Sequence, residues 1–268
     1  MEFTKNDRVS IDLGADGVAQ VRLVRADKMN ALDPEMFEWI IRAGRALHEM
    51  KGLRAVVLAG EGASFCAGLD TSSFGREPSP DEPALTERTY GNSNKFQQVA
   101  TQWRKLPVPV IAAVHGVCFG GGLQIASGAD IRVVHPEARM AIMELKWGLV
   151  PDMGGYALWR GLVRDDVLRE LVYTNREFTG LEAHEYGLAT FVDDDPVSAA
   201  TAIASEIANR NPHAIRGAKR LANHMVDGTT DGLLMEESLE QHAIMRTKNQ
   251  IEAVMAGMAR RPPVFDDV

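Results

Sequence analysis

The chain has 268 residues and a net charge of −8, from 29 Lys and Arg against 37 Asp and Glu, with 45% hydrophobic residues. That length gives one large domain, or one domain with a smaller appendage, and a core that needs no staples. The acidic balance argues against nucleic acid or an anionic membrane as the main partner. Cys66 and Cys118 are too few for a disulfide scaffold or a cysteine zinc cluster. No apolar run reaches the ~18 residues of a membrane span, and the polar start MEFTKNDRVSIDLG lacks the apolar core of a signal peptide. The expectation is a soluble cytosolic protein.

Two alternating segments, Val9–Leu13 and Val18–Val24, flank Gly14-Ala15-Asp16-Gly17 and predict a β-hairpin. Asp33 is a good N-cap and Pro34 suits the first helical position, so a helix is expected from there to about Met50. Leu53–Ala59 and Val108–Val114 are short apolar runs rich in Val and predict buried strands. Gly120–Ser127 reads as a helix after a glycine-rich entry, and Ile131–Val134 and Arg139–Met143 read as strands. Helical spacing then dominates at Ala199–Asn209, His213–Met225 and Gly232–Ala256. The stretch Ser72–Asn94, with three prolines and many charges, reads as an exposed, mobile excursion. The two prolines in Arg260–Phe265 argue against helix there. Strands early and helices late give an α/β core with a helical carboxyl-terminal part. The division is expected near residue 200, with 1–200 as core and 201–268 as helical region.

Each of the two central strands runs into a small-residue turn. The first leads to Gly60-Glu61-Gly62-Ala63-Ser64-Phe65-Cys66-Ala67-Gly68-Leu69-Asp70 and the second to Gly116-Val117-Cys118-Phe119-Gly120-Gly121-Gly122. Glycines admit close backbone approach, and a helix start presents free amides and the positive end of its dipole. Two facing loops of this kind can offer two convergent N–H donors to a developing oxyanion. Each loop alone is better read as a tight turn that needs positive φ. Neither matches a phosphate-binding G-x-G-x-x-G or Walker loop.

Taken in order, these segments resemble the crotonase superfamily, the enoyl-CoA hydratases and isomerases. The resemblance is carried by Lys28-Met29-Asn30-Ala31-Leu32, Ser64–Asp70, Pro109–Gly116, Gly120-Gly121-Gly122, Ala129-Asp130-Ile131-Arg132, Gly148–Pro151 and the Pro-Val-Phe ending. It implies an α/β fold built as a crotonase-like spiral of ββα repeats. It also implies a carboxyl-terminal helical region that assembles a homotrimer or a dimer of trimers. The implied ligand is an acyl-CoA thioester, with no metal and no cofactor beyond the CoA moiety of the substrate. By the same resemblance the backbone N–H groups of Leu69 and Gly121 form the oxyanion hole. Lys28, Met29, Ala67 and Asp70 then line the CoA channel.

Typical hydratases of that family present two glutamates, at the positions held here by Gln124 and Glu144. Hydration must hold a water and move two protons, work that two carboxylates share, whereas an amide orients but does not exchange protons. Double-bond migration needs one base. Glu144 is therefore expected as the principal base, Gln124 as an orienting group, and the reaction as isomerisation of an enoyl- or dienoyl-CoA. Hydration is the alternative, and a non-catalytic acyl-CoA or RNA-binding homologue the second. Asp152 resembles the second acid of dienoyl-CoA isomerases, and it is equally well read as the N-cap of a helix starting near Met153. Cys66 and Cys118 read as buried fillers, His115 as backbone-bonded, and Trp147 and Trp159 as core. Glu144 in an apolar pocket is expected to titrate high.

Overall fold

The computed structural model describes residue 3, residues 6–73, residue 75 and residues 83–268. Residues 1, 2, 4 and 5, within the polar start, and residues 74 and 76–82, within the proline-rich excursion, lie outside the described residues.

The chain opens with the expected hairpin, β1 (Val9–Leu13) antiparallel to β2 (Val18–Leu23), paired from Val9↔Leu23 to Leu13↔Ala19. Its turn is closed by Gly17 N–H on Gly14 O. The Asp33 side chain accepts from Met36 N–H and starts α1 (Pro34–Glu49), whose Met36, Phe37, Ile40, Ile41 and Leu47 are buried. Next come β3 (Ala55–Gly60), α2 (Lys95–Lys105), β4 (Val110–Val114), β5 (Val117–Phe119), α3 (Gly121–Ser127), β6 (Ile131–Val134) and β7 (Arg139–Ala141). The rest is α4 (Gly155–Trp159), α5 (Asp165–Thr174), α6 (Gly180–Glu185), β8 (Phe191–Val192), α7 (Pro196–Ala208), α8 (Pro212–His224), α9 (Thr230–Ile244) and α10 (Lys248–Ala259).

One sheet has the order β1-β2-β3-β4-β6-β8 and is parallel from β2 onward, while β5 and β7 form a small parallel pair beside it. The two apolar runs are continuous because both faces of the sheet are covered. Val56, Leu58, Val110 and Ala112 point into the core with α1–α3, while Val57, Ala59, Ile111 and Ala113 point the other way against Ala200 and Ala204 of α7. Residue 200, where sequence places the division, thus sits inside a helix packed on the sheet.

Three expectations change. The stretch Gly232–Ala256 is two helices: Arg246 has φ 63°, and Thr247 caps α10 by accepting from Gln250 N–H. The excursion ends in order, because Asn94 is buried and forms a reciprocal capping box with Gln97 at the start of α2. Trp147 is half exposed rather than core, whereas Trp159 is buried with its indole N–H on Ser127 Oγ.

Candidate active site

The loops after β3 and β4 are stitched together by backbone. Cys66 N–H donates to Val117 O and Phe119 N–H to Cys66 O, both at 3.0 Å, pairing Cys66 with Cys118. Both cysteines are buried free thiols, and desolvation pushes Cys66 up to about 12, which suits fillers rather than nucleophiles. His115 bonds the carbonyl of Gly62 through Nε2 at 2.9 Å.

Leu69 sits on a single bridge to Leu32. That bridge uses Leu32 N–H on Gly68 O (2.8 Å) and Asp70 N–H on Leu32 O (3.0 Å). The pairing therefore does not consume the Leu69 N–H. Gly121 is the first residue of α3, and first-turn amides have no acceptor within their helix. The two amides adjoin: a Cβ placed on Gly68 would lie 3.6 Å from Gly121 N and 2.7 Å from Phe119 O. Gly68 (φ +87°) and Gly120 (φ +48°) both use left-handed backbone, and a Cβ on Gly122 would strike Cys66 O at 2.4 Å. The glycines are what let these loops close on each other.

Glu144 opens a single 3-10 turn (Glu144–Trp147) after β7, half-buried, and is not part of a surface strand. Its Oε1 lies 3.4 Å from the position of a Cβ on Gly120, so the carboxylate abuts the loop that presents the Gly121 amide. Oε1 accepts from Gln124 Nε2 at 2.6 Å, whereas Oε2 is buried with no hydrogen-bond partner among the described residues. Burial raises the Glu144 carboxyl, and the negative charge of Asp152 adds to the rise, against the Gln124 hydrogen bond.

Gln124 is fully buried, and its Oε1 accepts from Met153 N–H (3.0 Å) and Gly155 N–H (2.9 Å). Those amides lie one and three residues after Asp152. The N-cap of α4 is Gly154 (φ 92°), with no side-chain cap, so Asp152 caps nothing there. It stands at the solvent-exposed rim, and desolvation by the protein around it raises its carboxyl.

Lys28 and Met29 are exposed on a short turn, and Ala67 N–H donates to Met29 O at 2.9 Å, which docks this turn on the Leu69 loop. Asp70 faces the same loop but is already neutralised. It accepts from Arg25 Nη1 at 2.6 Å and from Ser72, which holds it down at about 2. The sequence reading missed Asn30. It is buried at φ 55°, and its amide donates to the carbonyls of Glu61, Ser64 and Phe65, tying the Lys28 turn to the β3 loop. Asn tolerance of left-handed backbone was the available signal. The Met153 and Gly155 amides carry no sequence signal at all.

Among the described residues no group of three His, Cys, Asp or Glu is placed to hold a metal ion. Clefts of about 350 Å³ beside Lys51 and Arg216 and about 460 Å³ beside His115 and His135 lie apart from this site, lined by none of Leu69, Gly121, Glu144 or Asp152.

The family description enoyl-CoA hydratase/isomerase matches residues 14–268. A mouse mitochondrial Δ(3,5)-Δ(2,4)-dienoyl-CoA isomerase is 31% identical over 91% of this chain and 77% of its own. The 1,2-epoxyphenylacetyl-CoA isomerase of Escherichia coli K12 is 30% identical over 93% of this chain and 95% of its own. The crystal structure of an enoyl-CoA hydratase from Bacillus anthracis superposes with a TM-score of 0.87 at 27% identity, covering 96% of this chain and 98% of that one.

Proposed function

Because the chain belongs to the enoyl-CoA hydratase/isomerase family, we propose that it moves a double bond in an enoyl- or dienoyl-CoA. The observation that carries the reading is the pairing of Glu144 with an amide. Gln124 holds one carboxylate oxygen and leaves the other bare and desolvated. A bare, buried, upward-shifted carboxylate is a base matched to a weakly acidic C–H.

The thioester carbonyl sits between the Leu69 and Gly121 N–H groups. Glu144 Oε2 takes a proton from the carbon acidified by that carbonyl. The C–H electron pair becomes part of a conjugated enolate whose charge rests on the thioester oxygen, where the two amides and the α3 dipole stabilise it. Return of a proton at the far end of the conjugated system completes the shift. In a monoene Glu144 itself delivers it, and in a diene Asp152 serves the more distant carbon. Asp152 caps no helix and has a raised carboxyl, so it is available for that role. Lys28, Met29 and Ala67 line the approach for the CoA moiety, with Lys28 the local cation in a chain of net charge −8.

We assign the helical region to self-assembly as a trimer or pair of trimers. The large side chains Leu234, Met235 and Leu239 of α9 and Ile251, Val254 and Met255 of α10 are exposed in the single chain, which supports such burial. Two free buried thiols suit a reducing compartment, and we place the protein in the cytosol.

The test is to supply 2-enoyl-, 3-enoyl- and 3,5-dienoyl-CoA of several chain lengths and follow the products. Shifted double bonds are expected, and rapid hydration of a 2-enoyl-CoA overturns isomerisation in favour of a hydratase. Absence of product from every thioester, with CoA binding intact, overturns catalysis altogether.

A further inference from the structure

We infer that Gln124 is a positioning residue that selects which oxygen of Glu144 is the base. This rests on Glu144 being the base. All the acceptor capacity of the Gln124 carbonyl goes to Met153 N–H and Gly155 N–H. Its NH₂ is thereby turned toward Glu144 Oε1, since an amide's oxygen and nitrogen cannot exchange places without losing both backbone bonds. The neighbourhood is built around that pose. A Cβ on Gly155 would lie 2.8 Å from Gln124 Oε1, and one on Gly120 would lie 3.4 Å from Glu144 Oε1.

Two consequences follow. With Oε1 committed, proton transfer runs through Oε2, the oxygen without a partner. And because the Gln124–Glu144 contact is direct at 2.6 Å, no water separates Gln124 Nε2 from Glu144 Oε1, and the pair moves as one unit. The same amide fixes the backbone just after Asp152, at Met153 and Gly155, so it also anchors the segment that carries the second acid.

The charged groups around Glu144 leave the inference readable by pH. Asp152 bears on it directly. The α3 face that meets it, Gly121 to Gln124, carries no charge. The charged side chains of α5, which packs on the same turn, are ion-paired at the surface as Arg169–Asp165, Arg164–Asp166 and Arg176–Glu170.

The experiment compares Gln124→Glu and Gln124→Met with the parent protein, using kcat, KM and the pH profile of kcat/KM on the best thioester and a melting curve for each. Gln124→Glu keeps an acceptor for Met153 and Gly155 but sets two carboxyls side by side. The pair then shares a proton, and the acid limb is expected to move up by about one pH unit or more. Gln124→Met removes every bond at similar volume, and is expected to lower kcat about tenfold to a hundredfold with KM little changed. If Gln124→Glu does not fold, the kcat-against-KM split of Gln124→Met decides. An unmoved acid limb in a folded Gln124→Glu, or a rise in KM alone in Gln124→Met, overturns the positioning role. Full activity in Glu144→Ala would instead overturn the assignment of the base, so the two failures are distinguishable.

Discussion

Two buried polar nodes of this molecule differ in one respect, whether their hydrogen-bonding capacity is used up. At the first, the Lys219 ammonium of α8 donates to Trp103 O (3.0 Å), Val108 O (2.8 Å) and Asp130 Oδ2 (2.8 Å), and Asp130 Oδ2 also accepts from Val110 N–H. Three donors meet three acceptors, and the node pins α8 to the end of α2 and the start of β4. At the second, Gln124 is satisfied but Glu144 is left with one bare oxygen. The first is finished and holds the fold. The second stops one bond short, and the proposed reaction uses the oxygen left over. A buried polar group lacking a partner costs stability, and at Glu144 the proposed reaction gives that oxygen a use.

The contrast can be broken by mutation. The largest effect is expected from Glu144→Ala, which should lower kcat by about 10³-fold with CoA binding and folding retained. A loss of folding rather than of turnover would put Glu144 in the same class as Lys219. The reverse pattern is expected for Lys219→Met: stability falls by about 3 kcal/mol, because two carbonyls and a carboxylate lose their donor, while kcat per folded molecule is unchanged. Chemical denaturation and active-site titration separate those quantities. A smaller effect, about tenfold on a dienoyl-CoA and little on a 3-enoyl-CoA, is expected for Asp152→Asn. Equal loss on both thioesters would assign Asp152 to structure.

The smallest effect is on stability as a function of pH. The Glu144 carboxyl is raised in the folded protein, so as pH climbs from the ordinary glutamate value of about 4.3 the unfolded chain loses its proton first. Glu144 therefore subtracts stability between its unfolded and its raised folded value, and the full cost stands above both. Glu144→Gln should remove that decline and melt slightly higher at neutral pH. Activity runs the other way, since the base must be ionised, and kcat/KM should fall as pH drops through the raised value. A Glu144→Gln protein whose melting temperature keeps the parent's pH dependence would show that this carboxyl is not the one desolvated.

Local signals fixed most of the fold. Asp33-Pro34 set the start of α1, Gly14–Gly17 the hairpin, and the Val-rich runs the central strands, each through its own backbone preference. The order Gly68-Leu69 and Gly120-Gly121-Gly122 marked the two amide loops only through the family resemblance, since each loop alone reads as a tight turn. The break at Arg246 was hidden, since the apolar spacing on either side continues through it. The capping role for Asp152 was equally undecidable, because the spacing Asp-Met-Gly-Gly suits a cap until the helix is seen to start behind Gly154.

The sequence by itself determined the opening hairpin, the start of α1, the two central strands and the presence of Gln124 and Glu144 at positions where related hydratases carry two acids. The tertiary structure alone decided which oxygen of Glu144 is free, that Gln124 is held by Met153 and Gly155, and that Asp70 is neutralised by Arg25. The reason is range. Backbone preferences act within a few residues and are written in order along the chain. Hydrogen-bond saturation and desolvation depend on groups twenty to forty-five positions apart that meet only when the sheet and its helices close around them.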